Sequence, residues 1–389
     1  VSTLVFAGGG TGGHVFPMLA VADAVRVLAP GIELVFVGTE RGLETKLVPE
    51  RGYRLEIVKA LPLRGGGAVG ALKGAVRAAR SIPEMRALLA RLAPSAVFSV
   101  GGYAAGAVAV AARLASIPLA LLEPNSEVGI ANRLVAPLVQ RAYTAFPESE
   151  HHFSAGSVLR SGVPLRVGFR PSAYARREEL SVLVLGGSQG AVSLNEAVPR
   201  ALSRVDFPVR VVHQCGAGKD AAVRALYETL GAGARARVIP FIDDMPSELA
   251  RADLVVSRAG AGAVAEICAV GRPSLLIPYP YAGDHQRLNA ESLVRAGAAL
   301  CVRADDATPE RLATELARLS RDTDALSRMA AAALALGRPD AALVVAKDLL
   351  SLAGLASESS HPRGGNGATN GAAGRIAFTE PQTGSGASN

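Results

Sequence analysis

A single histidine stands at the end of a glycine run, in Gly8-Gly9-Gly10-Thr11-Gly12-Gly13-His14. His14 is the only titratable side chain in that cluster, and imidazole is the side chain suited to take a proton at cellular pH. The glycines let the backbone come close to a ligand, and the N–H groups of a helix start favour an anionic or electron-rich oxygen. The chemistry implied is proton acceptance beside a loop that holds negative charge.

Further polar clusters carry the same kind of signal. Gly186-Gly187-Ser188-Gln189-Gly190-Ala191 repeats the glycine layout, and Ser257-Arg258-Ala259-Gly260-Ala261-Gly262-Ala263-Val264-Ala265-Glu266 is a second glycine-rich helix start in the same half. Glu266 falls early in that helix, where a carboxylate is electrostatically favoured and can accept both hydroxyls of a ribose. Ser99-Val100-Gly101-Gly102-Tyr103 is another strand-to-glycine junction. Glu123-Pro124-Asn125 follows a buried strand, and Asp284-His285-Gln286-Arg287-Leu288-Asn289 precedes a helix. Asn125 fits either a site or a helix cap.

Competing motifs are weaker. Gly8, Gly10 and Gly13 spell G-x-G-x-x-G and Glu40 follows the next strand, a formal dinucleotide fingerprint that keeps a nicotinamide- or flavin-dependent oxidoreductase in play. No Gly-Lys-Ser/Thr tripeptide supports a P-loop. Asp322-Thr323-Asp324 spells the D-x-D of metal-dependent sugar transferases, but it lies between helices and reads as a helix cap. No His, Cys or carboxylate set has metal-ligand spacing, so no metal is expected. Cys215, Cys268 and Cys301 read as buried thiols in a reducing cytoplasm.

These clusters need elements to hold them. Apolar runs at Leu4–Ala7, Leu34–Gly38, Leu55–Val58, Ala96–Val100, Pro118–Leu122 and Ala142–Ala145 alternate with helical segments. After a linker at Gly162–Arg166 the alternation resumes at Val182–Leu185, Val209–His213, Val238–Ile242, Leu254–Ser257, Ser274–Ile277 and Ala299–Val302. The pattern predicts an α/β fold of two doubly wound, Rossmann-like domains that face one another, with ligands at the carboxyl ends of the strands. Helices are expected at about 309–320, 324–336 and 340–352. Residues 356–389 are Gly/Ser/Asn/Thr-rich and read as disordered.

At 389 residues the chain has room for two full cores. Aromatic residues make up 4% against 49% hydrophobic, so Ala, Val and Leu are expected to fill them rather than rings. The apolar runs are too short or too interrupted to be read as membrane spans, and no signal peptide is expected. The net charge of +7 points to an anionic partner. Between Arg54 and Arg91 stand Arg54, Lys59, Arg64, Lys73, Arg77, Arg80, Arg86 and Arg91 against Glu56 and Glu84. Lys73, Arg77 and Arg80 share one face of a helix-prone segment, either a solvated face or a patch that docks on anionic lipid.

Taken in order, GGGTGGH at Gly8–His14, GGSQGA at Gly186–Ala191, Ser257–Glu266 and DHQRLNA at Asp284–Ala290 resemble the MurG family over roughly residues 1–350. These are bacterial glycosyltransferases of GT-B architecture that complete the lipid-linked peptidoglycan precursor. The resemblance implies transfer of N-acetylglucosamine from UDP-N-acetylglucosamine to the 4-hydroxyl of a lipid-linked muramyl-pentapeptide acceptor, with inversion and without an essential metal or a cofactor. It implies a membrane-facing acceptor domain over 1–162, a UDP-sugar domain over 163–338, a C-terminal helix over 339–355 and a peripheral place on the cytoplasmic face of the inner membrane. Anionic membrane is then a partner and nucleic acid is not.

Carried over motif by motif, donor contacts fall on Thr11, Gly12, Gly13, Asn125, Arg166, Ser188 and Ile242. They continue on Ala261, Gly262, Ala263, Val264, Ala265, Glu266, Gln286 and Asn289. His14 is the expected general base, with Glu123 in reserve. Two motifs depart from the family pattern: Leu122-Glu123-Pro124-Asn125 stands for a common His-Glu-Gln-Asn, and Ala263 for a Thr found in some members. A UDP-sugar-binding subunit without catalysis is the alternative of a different class.

Overall fold

The computed structural model describes residues 1–58, 81–187, 189–280 and 284–355. Lys59, Arg64, Lys73, Arg77, Arg80, Ser188 and the segment 356–389, all named above, lie outside the described residues.

Two parallel sheets carry the fold. The first has strands β1 (Thr3–Gly8), β2 (Glu33–Gly38), β3 (Arg54–Ile57), β4 (Ala96–Gly101), β5 (Leu119–Glu123), β6 (Arg141–Thr144) and β7 (Val158–Arg160), in the order β3-β2-β1-β4-β5-β6-β7. The second has β8 (Leu180–Leu185), β9 (Val209–Gln214), β10 (Ala236–Ile239), β11 (Leu254–Ser257), β12 (Ser274–Leu276) and β13 (Ala299–Cys301), in the order β10-β9-β8-β11-β12-β13. The inner strands, buried on both faces, read as unbroken apolar runs and stand out in the sequence, whereas β3, β7 and β10 at the sheet edges are mostly half-buried or exposed. In each sheet the order reverses between the first strand and its fourth, β1 beside β4 and β8 beside β11, and the glycine loops leave the sheets at those two switch points.

Helices cover both faces. In the first half they are α1 (Gly12–Leu28), α2 (Glu44–Glu50), α3 (described over 81–92), α4 (Tyr103–Leu114) and α5 (Ile130–Val135). In the second they are α6 (Val192–Leu202), α7 (Asp220–Thr229), α8 (Met245–Arg251), α9 (Ala261–Val270), α10 (His285–Arg295), α11 (Pro309–Arg321) and α12 (Thr323–Leu336). Asp322 caps α12, its Oδ1 accepting from Ala325 N at 2.8 Å, so the D-x-D triplet is a helix start as expected.

The last helix, α13 (Ala341–Leu352), returns to the first half. Its Val345, Ala346, Leu349 and Leu350 are buried with β1, β4 and α1, and Asp348 accepts from Tyr143 Oη at 2.9 Å and pairs with Arg141 at 2.8 Å. The chain therefore passes between the halves twice, and Gly162 in the first passage lies against the Arg338 side chain in the second. The first passage is tied down by Arg272, 1% exposed, which donates to Ser172 O, Leu249 O and Ala250 O. Among the described residues, Thr323–Leu352 has the length and mean hydropathy, 1.5, of a membrane span, but Gly337, Arg338, Pro339 and Asp340 interrupt it, as the reading of broken apolar runs expects. The chain breaks it at residues 337–340 into α12 and α13.

The first core also differs from expectation. Tyr53, Phe36, Phe6, Phe98 and Tyr143 form a row of ring contacts with successive centroid distances of 5.2, 5.1, 5.5 and 5.9 Å. Register explains the row, because Phe6 is opposite Phe36 on one side and Phe98 on the other. Few aromatics are present, but the parallel ladder gathers them on one face. Phe6→Ala, which removes the middle ring, is expected to lower unfolding free energy by about 3–5 kcal/mol in denaturant titration. A loss below about 1 kcal/mol would mean that the row carries little of the core's packing energy.

Candidate functional site

The loop from β1 to α1 brings backbone donors and one histidine together. Thr11 precedes α1 without a side-chain cap, so the N–H groups of Gly12 and Gly13 begin the helix uncapped. His14 is half-buried, with Nδ1 at 3.1 Å from Gly9 O. A carbonyl only accepts, so Nδ1 carries the hydrogen and Nε2 keeps the lone pair. Gly102, at φ +96°, packs on this loop from the end of β4. A Cβ there would sit 3.0 Å from Gly9 O and 3.6 Å from His14 Nδ1. Phe16 and Leu43, both more than one-third exposed, flank Gly12 at the rim.

Glu123, at the end of β5, is 1% exposed and is enclosed by donors. Its carboxylate accepts from Asn125 N at 3.0 Å, Asn125 Nδ2 at 3.2 Å, Gly129 N at 3.2 Å and Asn132 Nδ2 at 2.9 Å. Burial pushes its carboxyl above the usual carboxylate range, against the pull of these bonds. Four N–H donors occupy the lone pairs a base would use, so the geometry makes Glu123 the organiser of the 123–132 loop. This differs from the reserve base expected.

That loop docks on α10. Asn289, fully buried, accepts on Oδ1 from Ser126 N at 2.9 Å and Ser126 Oγ at 3.0 Å. It donates from Nδ2 to Asn125 Oδ1 at 3.2 Å and Ala259 O at 3.1 Å. His285 Nδ1 meets Glu127 O at 3.1 Å, and Glu148 accepts from Ser292 Oγ and Arg295. All four hydrogen-bonding positions of the Asn289 amide are thus committed, three of them across to the first half and one to Ala259 in its own. In this arrangement Asn289 is a pin and has nothing left for the donor contact expected of it. Gln286 is different: its Oε1 accepts from Ala259 N and Tyr279 N at 3.2 and 3.0 Å, and its Nε2 has no partner among the described residues.

The second glycine loop is braced from behind. Gly190, at φ +71°, is pressed against the Cys215 carbonyl so closely that a Cβ would overlap it. Gln214 donates from Nε2 to Gly187 O at 3.0 Å and accepts on Oε1 from Ile242 N at 3.1 Å, so a ligand at Ile242 meets its carbonyl rather than its N–H. Asn195 Nδ2 donates to Cys215 O at 2.9 Å, His213 Nε2 to Asn195 Oδ1 at 3.1 Å, and Tyr227 Oη to His213 Nδ1 at 3.0 Å. Burial pushes His213 down to about 4, which keeps this relay neutral. Neither α6 nor α9 has a side-chain cap, which leaves two further helix starts open to an anion.

Glu266 lies in the second turn of α9, half-buried, with no hydrogen-bond partner among the described residues. Burial pushes its carboxyl up to about 7, opposed by the Arg166 guanidinium. Ala261, Gly262, Ala263 and Ala265 are half-buried on the same helix, and Val264 is buried. Arg166 lines a cavity of about 560 Å³ with Gly168, Asp243, Asp244, Pro246 and Ser247, next in chain to Ile242. Among the described residues no group of His, Cys, Asp or Glu could hold a metal ion.

Several residues here escape sequence reasoning. Arg258 stands inside a quoted motif, yet only the structure has it donate to Ser193 Oγ at 2.6 Å and Ile277 O at 2.9 Å, joining the starts of α6 and α9. Gln214, Asn195, His213 and Tyr227 lie behind the loop they brace, and no spacing marks them. Glu44 reaches the first loop from α2, where Glu40 had drawn attention by following β2; Glu40 is exposed.

Residues 4–144 match the glycosyltransferase family 28 N-terminal domain and residues 181–345 the C-terminal domain of that family. A Sorangium cellulosum protein named UDP-N-acetylglucosamine–N-acetylmuramyl-(pentapeptide) pyrophosphoryl-undecaprenol N-acetylglucosamine transferase is 54% identical over 358 residues, 90% of this chain and 88% of that one. A Nitrosococcus oceani protein of the same name is 43% identical, over 91% of this chain and 99% of its own. The crystal structure of Acinetobacter baumannii MurG superposes with a TM-score of 0.75 at 30% identity, covering 90% of this chain and all of that one. UDP-N-acetylglucosamine 2-epimerase from Neisseria meningitidis shares the fold, with a TM-score of 0.62 at 13% identity. With both family domains matched in order and relatives this similar over nearly their whole length, the chain belongs to glycosyltransferase family 28 and, within it, to the MurG family.

Proposed function

We propose that this chain transfers N-acetylglucosamine from UDP-N-acetylglucosamine to the lipid-linked N-acetylmuramyl-pentapeptide, the step that turns lipid I into lipid II. The names of its relatives support the substrates. They do not favour an oxidoreductase or a subunit without catalysis. The observation that carries the chemistry is His14, whose Nδ1 is spent on Gly9 O so that Nε2 alone can receive a proton.

Inversion is one displacement. The acceptor 4-hydroxyl attacks the anomeric carbon, its proton passes to His14 Nε2, and the bond to UDP breaks with its electron pair going to the diphosphate. The uncapped starts of α6 and α9, with Thr11, Gly12 and Gly13, supply N–H groups for that charge. Glu266 takes the ribose hydroxyls, the Ile242 carbonyl and Arg166 lie toward the uracil end, and Gln286 offers Nε2 to the sugar. Asn125 and Glu123 shape the wall between the halves. Phe16 and Leu43 form an apolar rim on the acceptor side of His14. His14→Ala is expected to lower kcat by about 10²–10⁴-fold with donor Kd within about twofold, measured as acceptor-dependent UDP release. Normal turnover in that variant would remove His14 from the chemistry.

Glu266 makes donor binding sensitive to pH. A carboxyl that titrates at about 7 is largely protonated at pH 6, and ribose hydroxyls need its ionised form as acceptor. Affinity for UDP-N-acetylglucosamine should therefore rise about tenfold from pH 6 to pH 8, with proton release near the lower end. Glu266→Gln should bind weakly and flatly over that range. Titration calorimetry that finds the unsubstituted chain flat as well would take the ribose away from Glu266.

A lipid-linked acceptor keeps the enzyme at the anionic inner face of the membrane, as a peripheral protein. The basic stretch supports this reading from sequence; of its described members, Arg54 and Arg91 are already paired, Arg54 with Glu33 and both with Glu56. Replacing Lys73, Arg77 and Arg80 together by Ala should remove about 1 kcal/mol of vesicle affinity per charge at low salt. Unchanged sedimentation with anionic vesicles would move the contact elsewhere.

A further inference from the structure

The buried carboxylate of Glu44 has no part in the reaction just described, although it is 1% exposed and lies directly behind the first glycine loop. It accepts from Gly10 N at 2.8 Å on Oε2, and from Thr39 N and Thr39 Oγ1 at 3.1 Å each on Oε1. Leu43 N adds a bond to Gly10 O at 3.4 Å. The loops that leave β1 and β2 are thereby tied to one side chain from α2. Room for it is made by the absence of side chains: a Cβ on Gly38 would lie 2.6 Å from Glu44 Cγ, and one on Gly9 or Gly42 would overlap the carboxylate itself.

The N–H of Gly10 and the carbonyl of Gly9 are two ends of one peptide unit, and in a trans peptide they point in opposite directions. Glu44 holds the N–H end at 2.8 Å, and His14 Nδ1 meets the carbonyl end at 3.1 Å. A peptide between two glycines has little steric preference of its own and could turn its carbonyl away from the imidazole. An ionised acceptor on its N–H both fixes its plane and polarises its carbonyl, which makes that oxygen a better acceptor for Nδ1–H.

We propose that Glu44 is a positioning residue for His14, acting through the Gly9–Gly10 peptide to hold the tautomer that leaves Nε2 free. The arrangement resembles a carboxylate–imidazole pair with one peptide unit inserted between the partners. The role in turnover rests on His14 being the base, but the effect on the imidazole does not. Glu44→Gln keeps the shape and removes the charge, and one amide N–H₂ must then face the N–H of Gly10 or Thr39.

The test uses the full chain labelled with ¹⁵N-histidine, with the His14 signals assigned by comparison with His14→Gln. In the unsubstituted chain His14 is expected as the Nδ1–H tautomer, and in Glu44→Gln as a mixture or the opposite tautomer. Acceptor-dependent kcat should fall about 10–100-fold in Glu44→Gln with KM for the UDP-sugar within about twofold, since only the orientation of the base is lost. Glu44→Gln in a His14→Ala background should cost less than about twofold more, the mark of two residues acting as one unit.

An unaltered tautomer in folded Glu44→Gln overturns the proposal, as does an equal loss of kcat with or without His14. If Glu44→Gln does not fold, Thr39→Val, which removes one of the three donors, is read instead. A smaller shift in the same tautomer balance supports the proposal and none overturns it. Absence of sugar transfer by the unsubstituted chain would sink the proposed reaction while leaving the tautomer result to decide the role of Glu44.

Discussion

The facing of the two halves depends on one saturated amide. Asn289 is buried between the 123–132 loop and the start of α9, with two donors on its oxygen and two acceptors on its nitrogen. Net, a hydrogen bond of this kind is worth about 1 kcal/mol, but each polar group left buried and unmatched costs about 1–3 kcal/mol. The wrong alignment of α10 is therefore penalised several times over, while the right one gains little beyond it. The amide sets position more than it sets stability. It aligns the half that carries His14 with the half that carries Glu266.

Three buried or half-buried carboxylates show how the same chemistry is assigned different work. Glu123 and Glu44 are each 1% exposed and accept four and three hydrogen bonds, and both hold loops. Glu266 is half-buried with no partner among the described residues and is pushed up to about 7. Burial without donors is costly for a charge, and that cost is what pushes the Glu266 carboxyl up. His213 shows the complementary case, a buried base kept neutral so that its relay of hydrogen bonds passes no charge to the loop in front.

Much of this was legible in the residues. Apolar runs mark twelve of the thirteen strands, most plainly the inner ones, where burial on both faces leaves no alternation to confuse them. The glycine loops mark the switch points because close packing there excludes side chains. What could not be read depends on contacts between distant segments. The ring row from Tyr53 to Tyr143 needs strand register, and the short β7 has too few residues to form a recognisable run. Asn289 looked like a donor contact because it stands in the DHQRLNA motif of the family, and nothing local reveals that Asn125, Ser126 and Ala259 use up its amide. Glu40 drew attention by its place after β2, whereas depth makes Glu44 the structural acid. Glu123 ends a strand as a catalytic acid often does, yet the four N–H groups around it come from residues up to nine positions away.

The paired crossings between the halves have a mechanical consequence. Gly162 and Arg338 lie side by side, so the two covalent links act at one edge, as a strap does on a lid. Two adjacent tethers suppress sliding and twisting and leave one soft rotation, with the strap as its axis. That rotation is restrained by the bonds from α10 to Asn125, Ser126, Glu127 and Glu148 and by the packing of Phe146 with Ala259 and Val264. A turn about that strap is the movement that would widen or narrow the space between the two glycine loops without breaking either link.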